Sequence, residues 1–247
     1  SPDNLTFNSE NWNTAQTVTI TGVADDQDDE NATSTITVSV NSSDTNYVSS
    51  KLSDKEVKVT TSDGDTAGFK LSETTVTATE GGDNATFTVE LTSKPTSAVT
   101  IGIAGSTEAN VSPTSLSFDA SDWKTPKTVT VTAVNDSVDD DQQTSTITIS
   151  VSSSSDSKYG SGISNQSVTA TTKDDDTAGF TLSKNTATVT EGGDSDNFTV
   201  VLNSEPTQDV ALTLTPNDLT EVSISSSSTL TFTSANWNTA QTVIIAA

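Results

Sequence analysis

The chain has 247 residues and a formal net charge of −24, with 10 Lys plus Arg against 34 Asp plus Glu. Charge of this sign opposes binding to nucleic acid and to anionic membrane surfaces, and it makes cations the natural partners. The absence of cysteine, methionine and histidine excludes disulfides, thiolate chemistry and metal sites built from cysteine or histidine. No apolar run approaches the roughly 18 residues of a membrane span, so no membrane insertion is expected in this segment.

The sequence repeats itself at a nearly constant distance. The segment LTFNSENWNTAQTVTITG begins at Leu5, and its counterpart LSFDASDWKTPKTVTVTA begins at Leu116, so the repeat offset between them is 111. A third counterpart, LTFTSANWNTAQTVII, begins at Leu230. A second motif, DTAGF, begins at Asp65 and again at Asp176, with the same offset of 111. Self-similarity of this kind is typical of tandem repeat proteins.

These offsets predict three segments. Residues 66–176 form one complete unit, residues 1–65 form the C-terminal half of a preceding unit, and residues 177–247 form the N-terminal part of a further unit. Because the sequence begins within a unit, we expect it to be a piece of a longer chain, with neighbouring repeats as its immediate partners.

In the complete unit, apolar residues alternate with threonine and serine. Four segments show this period of two clearly: ATFTVEL, VTIGIA, TVTVTA and STITISV. Three further strands are expected around Val76, Leu116 and Val168. Alternation marks strands with one buried face, and the spacing typical of helices is absent. The fold class predicted is all-β, as tandem immunoglobulin-like sandwich repeats of about seven strands and about 111 residues.

A tryptophan recurs at one position in all three segments, as Trp12, Trp123 and Trp237. We interpret Trp123 as a core or edge-sealing side chain, because tryptophan combines a large apolar area with one N–H that needs a partner. The alternative is a sugar-binding platform, which has little support because the complete unit has only one other Trp or Tyr, Tyr159.

Acidic residues recur in each unit at three separate points, which loops at one end of a sandwich can bring together. In the complete unit they are Glu80, the run Asp136, Asp139, Asp140 and Asp141, and the closing run Asp174, Asp175 and Asp176. The matching positions in the flanking segments are Asp25, Asp28, Asp29, Asp63, Asp65 and Glu191. In the first segment, Gly64 replaces the middle aspartate of the closing run, which predicts a weaker site.

The recurring acids predict a calcium site. Clustered carboxylates repel one another and need a counter-charge, and Ca²⁺ accepts six to eight oxygen ligands in flexible geometry. Magnesium retains more of its waters, and zinc prefers nitrogen or sulfur ligands. The alternative is that the acidic runs are solvated loops that keep the protein soluble. Recurrence at matching positions favours calcium.

The combination of these motifs resembles Calx-beta repeats of large bacterial surface proteins. The resemblance rests on Thr-Ala-Gly-Phe, the T-E-G-G turn, the LTF…NWNTAQTV segment, the acidic loop and the closing Asp run, and it covers essentially the whole chain. It implies a seven-stranded sandwich that binds calcium at one end, near the junction with the following unit. By position, the implied ligands are Glu80, Asp136, Asp139, Asp140 and 174–176.

Two structural functions follow, both outside the cell or on its surface. One is a calcium-stiffened spacer or stalk in a large adhesin. The other is a building segment of an extracellular fibre or matrix, in which copies associate by strand complementation or end to end. An enzyme is not expected, because a catalytic carboxylate pair has no reason to recur in every repeat unit.

Overall fold

The computed structural model describes residues 3–160 and 162–247, and every regular element in this part of the chain is a β-strand. The all-β prediction is confirmed. The described residues contain no helix long and apolar enough to cross a membrane. The first two strands, β1 (Ala32–Val38) and β2 (Lys55–Thr61), form an antiparallel pair.

The next nine strands form two sheets, which we call the central sandwich. They are β3 (Phe69–Leu71), β4 (Thr75–Thr79), β5 (Ala85–Leu91), β6 (Val99–Ala104), β7 (Ala109–Ser112), β8 (Ser115–Phe118), β9 (Lys127–Ala133), β10 (Gln143–Ser154) and β11 (Gln166–Lys173). One sheet has the order β4-β11-β10-β6-β8 and the other the order β3-β5-β9-β7. All neighbours are antiparallel except β4 and β11, which run parallel.

The alternating pattern of each strand explains the core of the central sandwich. In β9, Val129 and Val131 are fully buried and Thr132 between Val131 and Ala133 is exposed. Inward-facing residues from both sheets meet in one apolar cluster, which includes Phe87 from β5 and Ile149 from β10. Burial of side chains of this size contributes about 1.5 to 3 kcal/mol each, so this cluster dominates the stability of the sandwich.

All seven segments predicted as strands in the complete unit form strands, and the structure adds two. One addition is β3, which precedes the predicted strand β4. Because β3 pairs with β5 and β4 pairs with β11, the start of the unit contributes one strand to each sheet. The other addition is β7, which pairs with β9. Both are short, three and four residues.

Trp123 packs against the core cluster while partly buried, and its carbonyl accepts a hydrogen bond from the Leu91 amide at 3.0 Å. Trp237 packs in the same way against the apolar cluster of the C-terminal strands, and its carbonyl accepts a hydrogen bond from the Leu202 amide at 3.2 Å. The core or edge-sealing interpretation of Trp123 is therefore confirmed, and Trp237 is packed in the same way. Trp12, in contrast, is 70% exposed.

The remaining strands follow the central sandwich as two small sheets. They are β12 (Phe180–Leu182), β13 (Asp196–Leu202), β14 (Val210–Thr213), β15 (Ser223–Ile224), β16 (Thr229–Phe232) and β17 (Gln241–Ala246). One sheet has the order β12-β13-β17-β15, and β14 pairs with β16. Their apolar cluster is smaller and is built around Val200, Leu230, Phe232 and Val243.

Residues 17–20 match the start of β9 in sequence but form no strand. In the central sandwich, β9 lies between β5 and β7 and pairs with both. Residues 17–20 do not form the ladder that β9 makes with these two strands. A strand is defined by the pairing of its backbone groups, so an alternating sequence pattern by itself does not make one.

Candidate metal centre

Three acidic side chains converge at one end of the central sandwich. Glu80 follows β4, and Asp174 and Asp175 follow β11. Because β11 runs parallel to β4, the two strands finish at the same end of the sheet. The Glu80 amide donates to the Lys173 carbonyl at 2.9 Å and holds the two strand ends side by side. One carboxylate oxygen from each of the three side chains lies within 4.8 Å of the others.

The acidic loop of residues 136–141 contacts this group through its backbone amides. The Asp136 amide donates to Glu80 Oε2 at 3.1 Å. The amides of Asp140 and Asp141 donate to Asp174 Oδ2 at 3.0 and 3.1 Å. Asp141 adopts a φ of 63°, a left-handed conformation at the turn where both amides face one carboxylate. The loop therefore orients the carboxylates of Glu80 and Asp174.

The other predicted ligands of the complete unit surround the three-carboxylate group without joining it. The Asp136 carboxylate accepts the Val138 amide at 2.7 Å, within its own loop. The Asp139 carboxylate accepts the Ala178 amide at 2.7 Å, in the segment after the sandwich. Asp140 and Asp176 contribute amides, and the Asp176 amide donates to Asp174 Oδ1 at 2.8 Å. Their role as ligands stays a prediction.

The turn after Glu80 depends on glycine. Gly81 has a φ of 57°, and a Cβ built there would lie 2.9 Å from Asp175 Oδ2 and 3.0 Å from Asn135 Oδ1. A side chain would therefore push on a member of the acidic group. Sequence reasoning missed this role of Gly81, although the recurrence of Glu-Gly-Gly at residues 191–193, with Gly192 at a φ of 66°, is a signal for it.

The matching acids of the first segment repeat the backbone pattern. Asp63 Oδ2 accepts the amides of Asp29 and Glu30, both at 2.9 Å, and Asp63 Oδ1 accepts the Asp65 amide at 2.9 Å. Asp28 Oδ2 accepts the Ala67 amide at 2.9 Å, as Asp139 does with Ala178.

The first segment nevertheless differs from the central one in how many carboxylates meet. Asp25, Asp29, Asp63 and Asp65 line one open cleft. Within residues 3–160 and 162–247, however, only Glu80, Asp174 and Asp175 form a group of three with ligand atoms within 4.8 Å. Glu191 is exposed and belongs to no such group. The predicted sites of the two flanking segments therefore remain predictions.

The local electrostatics favour a cation at the central group. Burial raises the pKa of Glu80 above its ordinary value, and the charges of Asp136 and Asp174 raise it further, against the lowering effect of the Asp136 amide. Burial and the neighbouring Asp175 and Asp174 likewise raise the pKa of Asp176. Two carboxylates about 5 Å apart repel by about 3 kcal/mol at an effective dielectric of about 20. Ionising the whole group without a counter-ion is costly.

The donor set fits calcium. Glu80, Asp174 and Asp175 offer only hard carboxylate oxygens, and three carboxylates can supply up to about six ligand atoms when they bind in bidentate fashion. Glu80 is 4% exposed while Asp175 is exposed, so an ion would have one anchored ligand and one side open to solvent. No imidazole or thiolate is present to favour zinc.

The raised pKa of Glu80 predicts a pH dependence in chelator. The ordinary pKa of glutamate is 4.5, and the pKa of Glu80 in the folded protein is higher. Between these two values, the unfolded chain has lost a proton that folded Glu80 still holds. The free energy of unfolding should therefore fall as pH rises from about 4.5 through the folded pKa of Glu80. Aspartates with lowered pKa, such as Asp156, act in the opposite direction, but only as pH falls toward and below 3.8.

Thermal melts in chelator between pH 5 and pH 8 check this prediction. Melting temperature should decline with rising pH, and Glu80→Gln should flatten the decline and melt higher than the parent protein at pH 8. An unchanged slope in Glu80→Gln would show that Glu80 does not titrate in this range.

No family model matches the sequence, and no curated protein matches it. Similar solved structures include CBD12 from CALX1.2, at 14% identity and a TM-score of 0.34, over 72% of this chain and 73% of that chain. The periplasmic chaperone SfaE is similar at 12% identity and a TM-score of 0.34, over 44% of this chain and 57% of that chain. The SafA pilin of Salmonella enterica in complex with the SafB chaperone is similar at 11% identity, with a TM-score of 0.34 over 71% and 82%. All three likenesses are distant, and the match spans a little over half of SfaE.

Proposed function

We propose that this chain is a segment of an extracellular repeat protein of the Calx-beta type, in which calcium at the unit junctions stiffens the chain into a spacer or stalk. The observation that carries the proposal is the convergence of Glu80, Asp174 and Asp175 beside the segment that leaves the sandwich. The recurrence of the same acids at the repeat offset supports it. A loop that was acidic only for solubility would not need the closing acidic run to recur with it at the same spacing.

The position of the acids supports stiffening as well as binding. Asp174 and Asp175 belong to the short linker between β11 and β12, and Asp139 from the acidic loop accepts the Ala178 amide of that linker. An ion held by Glu80 and the linker aspartates would tie the linker to the sandwich at a second point. Bending at the junction would then require the ion to lose ligands, which is why bound calcium should narrow the range of angles.

Distances across the second junction test this proposal. The chain has no cysteine, so Thr148→Cys and Thr231→Cys, both at exposed strand positions, allow two spin labels to be placed specifically. Calcium should narrow the distance distribution by about half relative to chelator, and Glu80→Gln should remove the response. Glu73→Gln, which changes an exposed glutamate of the same unit, is the matched control. Equal widths with calcium and chelator would reject calcium stiffening.

A second candidate function is a fibre segment that assembles by strand complementation between copies. It is favoured by apolar residues that are exposed in the flanking segments but buried at the matching positions of the central sandwich. Val38 is 53% exposed and its counterpart Ile149 is fully buried, and Val57 is 47% exposed where Val168 is fully buried. Exposed apolar strand faces of this kind invite a partner strand.

The central sandwich indicates how a second copy would fit. There, β6 pairs with β10 on one side and β8 on the other, whereas β14, the counterpart of β6, pairs only with β16 among the described residues. In the central sandwich Ile149 lies opposite Ile103. By the repeat offset, β1 of one copy would lie along β14 of another, with Val38 opposite Leu214.

A further inference from the structure

The acidic loop of one unit touches the following unit at equivalent points at both junctions. The Lys94 amide donates to the Asp26 carbonyl at 2.7 Å, and one repeat offset later the Glu205 amide donates to the Ser137 carbonyl at 2.6 Å. A backbone contact of this kind does not depend on the side chain, since lysine and glutamate occupy the same position. The two junctions therefore share one backbone docking pattern.

The first junction has an additional contact that links the two sides by charge. Lys158, between β10 and β11 of the central sandwich, places its Nζ 3.0 Å from Asp28 Oδ1 and 2.9 Å from Glu30 Oε1. Both acids belong to the loop before β1, 128 residues away from the lysine in the case of Glu30. Asp28 is thus held from two directions, by the Lys158 ammonium and by the Ala67 amide.

The turn that carries Lys158 is held rigidly on both sides of the lysine. Asp156 is 5% exposed and accepts hydrogen bonds from the Thr96 amide, the Thr96 hydroxyl and the Lys158 amide. Tyr159 is 1% exposed, and its hydroxyl donates to the Ser93 carbonyl at 2.5 Å and accepts from the Ser93 amide at 3.1 Å.

This rigidity bears on the strength of the contact. Exposed ion pairs are usually weak, because two long side chains must be ordered to form them. Here the lysine backbone is already fixed, and the Lys158 and Asp28 side chains are only 30% and 19% exposed. The partly buried Lys158 and Asp28 side chains therefore have less freedom to lose on pairing, whereas the Glu30 side chain is 79% exposed.

The closing run at this junction offers one carboxylate fewer for a metal ion. Gly64 stands where the central unit has Asp175, and Asp28 already accepts both the Ala67 amide and the Lys158 ammonium. The lysine thus supplies the positive charge at the first junction that a cation would supply at the second.

The lysine is not a general feature of the repeat. The turn that carries it reads Asp-Ser-Lys-Tyr, and the matching turn of the first segment reads Asp-Thr-Asn-Tyr, with Asn46 at the position of the lysine. The two turns share their backbone contact, because the Asn46 amide donates to Asp44 Oδ1 at 2.8 Å, as the Lys158 amide does to Asp156 Oδ1. The clamp therefore depends on the side chain at this position and not on the turn alone.

We propose that Lys158 is a built-in cationic clamp that docks the central sandwich onto the acidic loop 25–30 of the preceding unit, and that it fixes the first junction without a metal ion. The chain then contains two kinds of junction, one fastened by lysine and one dependent on calcium. The contrast between them rests on the proposed calcium function, whereas the lysine clamp itself does not.

Spin labels at Thr35→Cys and Thr148→Cys, exposed positions in β1 and β10, report the first junction in the full chain. Lys158→Gln should broaden the distance distribution about twofold. Lys51→Gln is the matched control, since Lys51 is exposed and forms no ion pair with the described acids, and it should leave the width unchanged. Chelator should not broaden the parent distribution, whereas 1 M salt, with a Debye length of about 3 Å, should broaden it.

Two results would overturn the clamp: a Lys158→Gln distribution as narrow as the parent, or a parent distribution that chelator broadens as much as the substitution does. Circular dichroism melts of Lys158→Gln establish that the sandwich remains folded. Suppose that Lys158→Gln broadens the distance distribution of the label pair at 35 and 148, while calcium leaves the distribution of the pair at 148 and 231 unchanged. The clamp proposal then stands and the calcium proposal fails.

Discussion

Calcium should raise the melting temperature of this protein by about 10 °C, and removal of the central carboxylates should abolish the rise. A ligand at about 100 times its dissociation constant stabilises the folded state by about 2.7 kcal/mol. For a domain of roughly 100 residues, each kcal/mol corresponds to about 4 °C or more. Calorimetry with excess calcium and with chelator measures the effect.

Matched variants separate a site from general charge relief. Asp136→Asn together with Asp175→Asn should abolish the calcium-dependent shift, and Glu80→Gln should do the same by removing the buried ligand. Glu73→Gln removes one negative charge from an exposed position in the same unit and should keep the full shift. The calcium site is rejected if the melting temperature of Glu80→Gln still rises with calcium, or if that of the parent protein does not. The acidic residues would then serve only to keep the loops soluble.

Truncation of Phe118 should destabilise the protein by about 3 to 5 kcal/mol, the range for removing a buried phenylalanine. Phe118 is fully buried at the end of β8, within the apolar cluster shared by both sheets. Its counterpart Phe7, one repeat offset earlier, is 52% exposed, so Phe7→Ala should change the free energy of unfolding by no more than about 0.5 kcal/mol. Urea denaturation followed by circular dichroism compares the two variants.

Val38 discriminates between the proposed functions. If copies associate by strand complementation, the exposed Val38 of β1 becomes buried beside Leu214 of another copy, and Val38→Ala should weaken association in analytical ultracentrifugation. If the chain remains monomeric and Val38→Ala is neutral at every concentration, the fibre candidate fails for this chain and the spacer remains.

The predicted strands show where sequence pattern suffices. Alternation in ATFTVEL and STITISV places Phe87 and Ile149 inward, and both are buried, because a period of two leaves only one choice of face once one face is apolar. The short strand β7 was missed because its apolar positions are only Ala109 and Val111, whereas β8, of the same length, has the larger Leu116 and Phe118. Residues 17–20 show the converse, a good pattern without a strand, since pairing depends on a partner that lies elsewhere in the chain.

The candidate site shows a similar division. Recurrence identified every acidic residue of the site from sequence, but not which of them meet. The parallel pairing of β4 with β11 brings Glu80 beside Asp174 and Asp175, and no sequence pattern predicts a parallel pair between strands so far apart in the chain. The Asp139 carboxylate accepts the Ala178 amide, a contact that its position in the sequence does not predict, and its role as a ligand stays a prediction.

Sequence by itself determined the all-β class, the repeat offset and the acidic character of the loops, because these follow from local periodicity and composition. Only the tertiary structure decided which carboxylates converge, that Gly81 must lack a side chain, and that Lys158 reaches Asp28 and Glu30 across the first junction. The physical reason is that side-chain contacts between distant segments depend on sheet pairing and on how consecutive units dock, and neither is encoded in the neighbours of a residue along the chain.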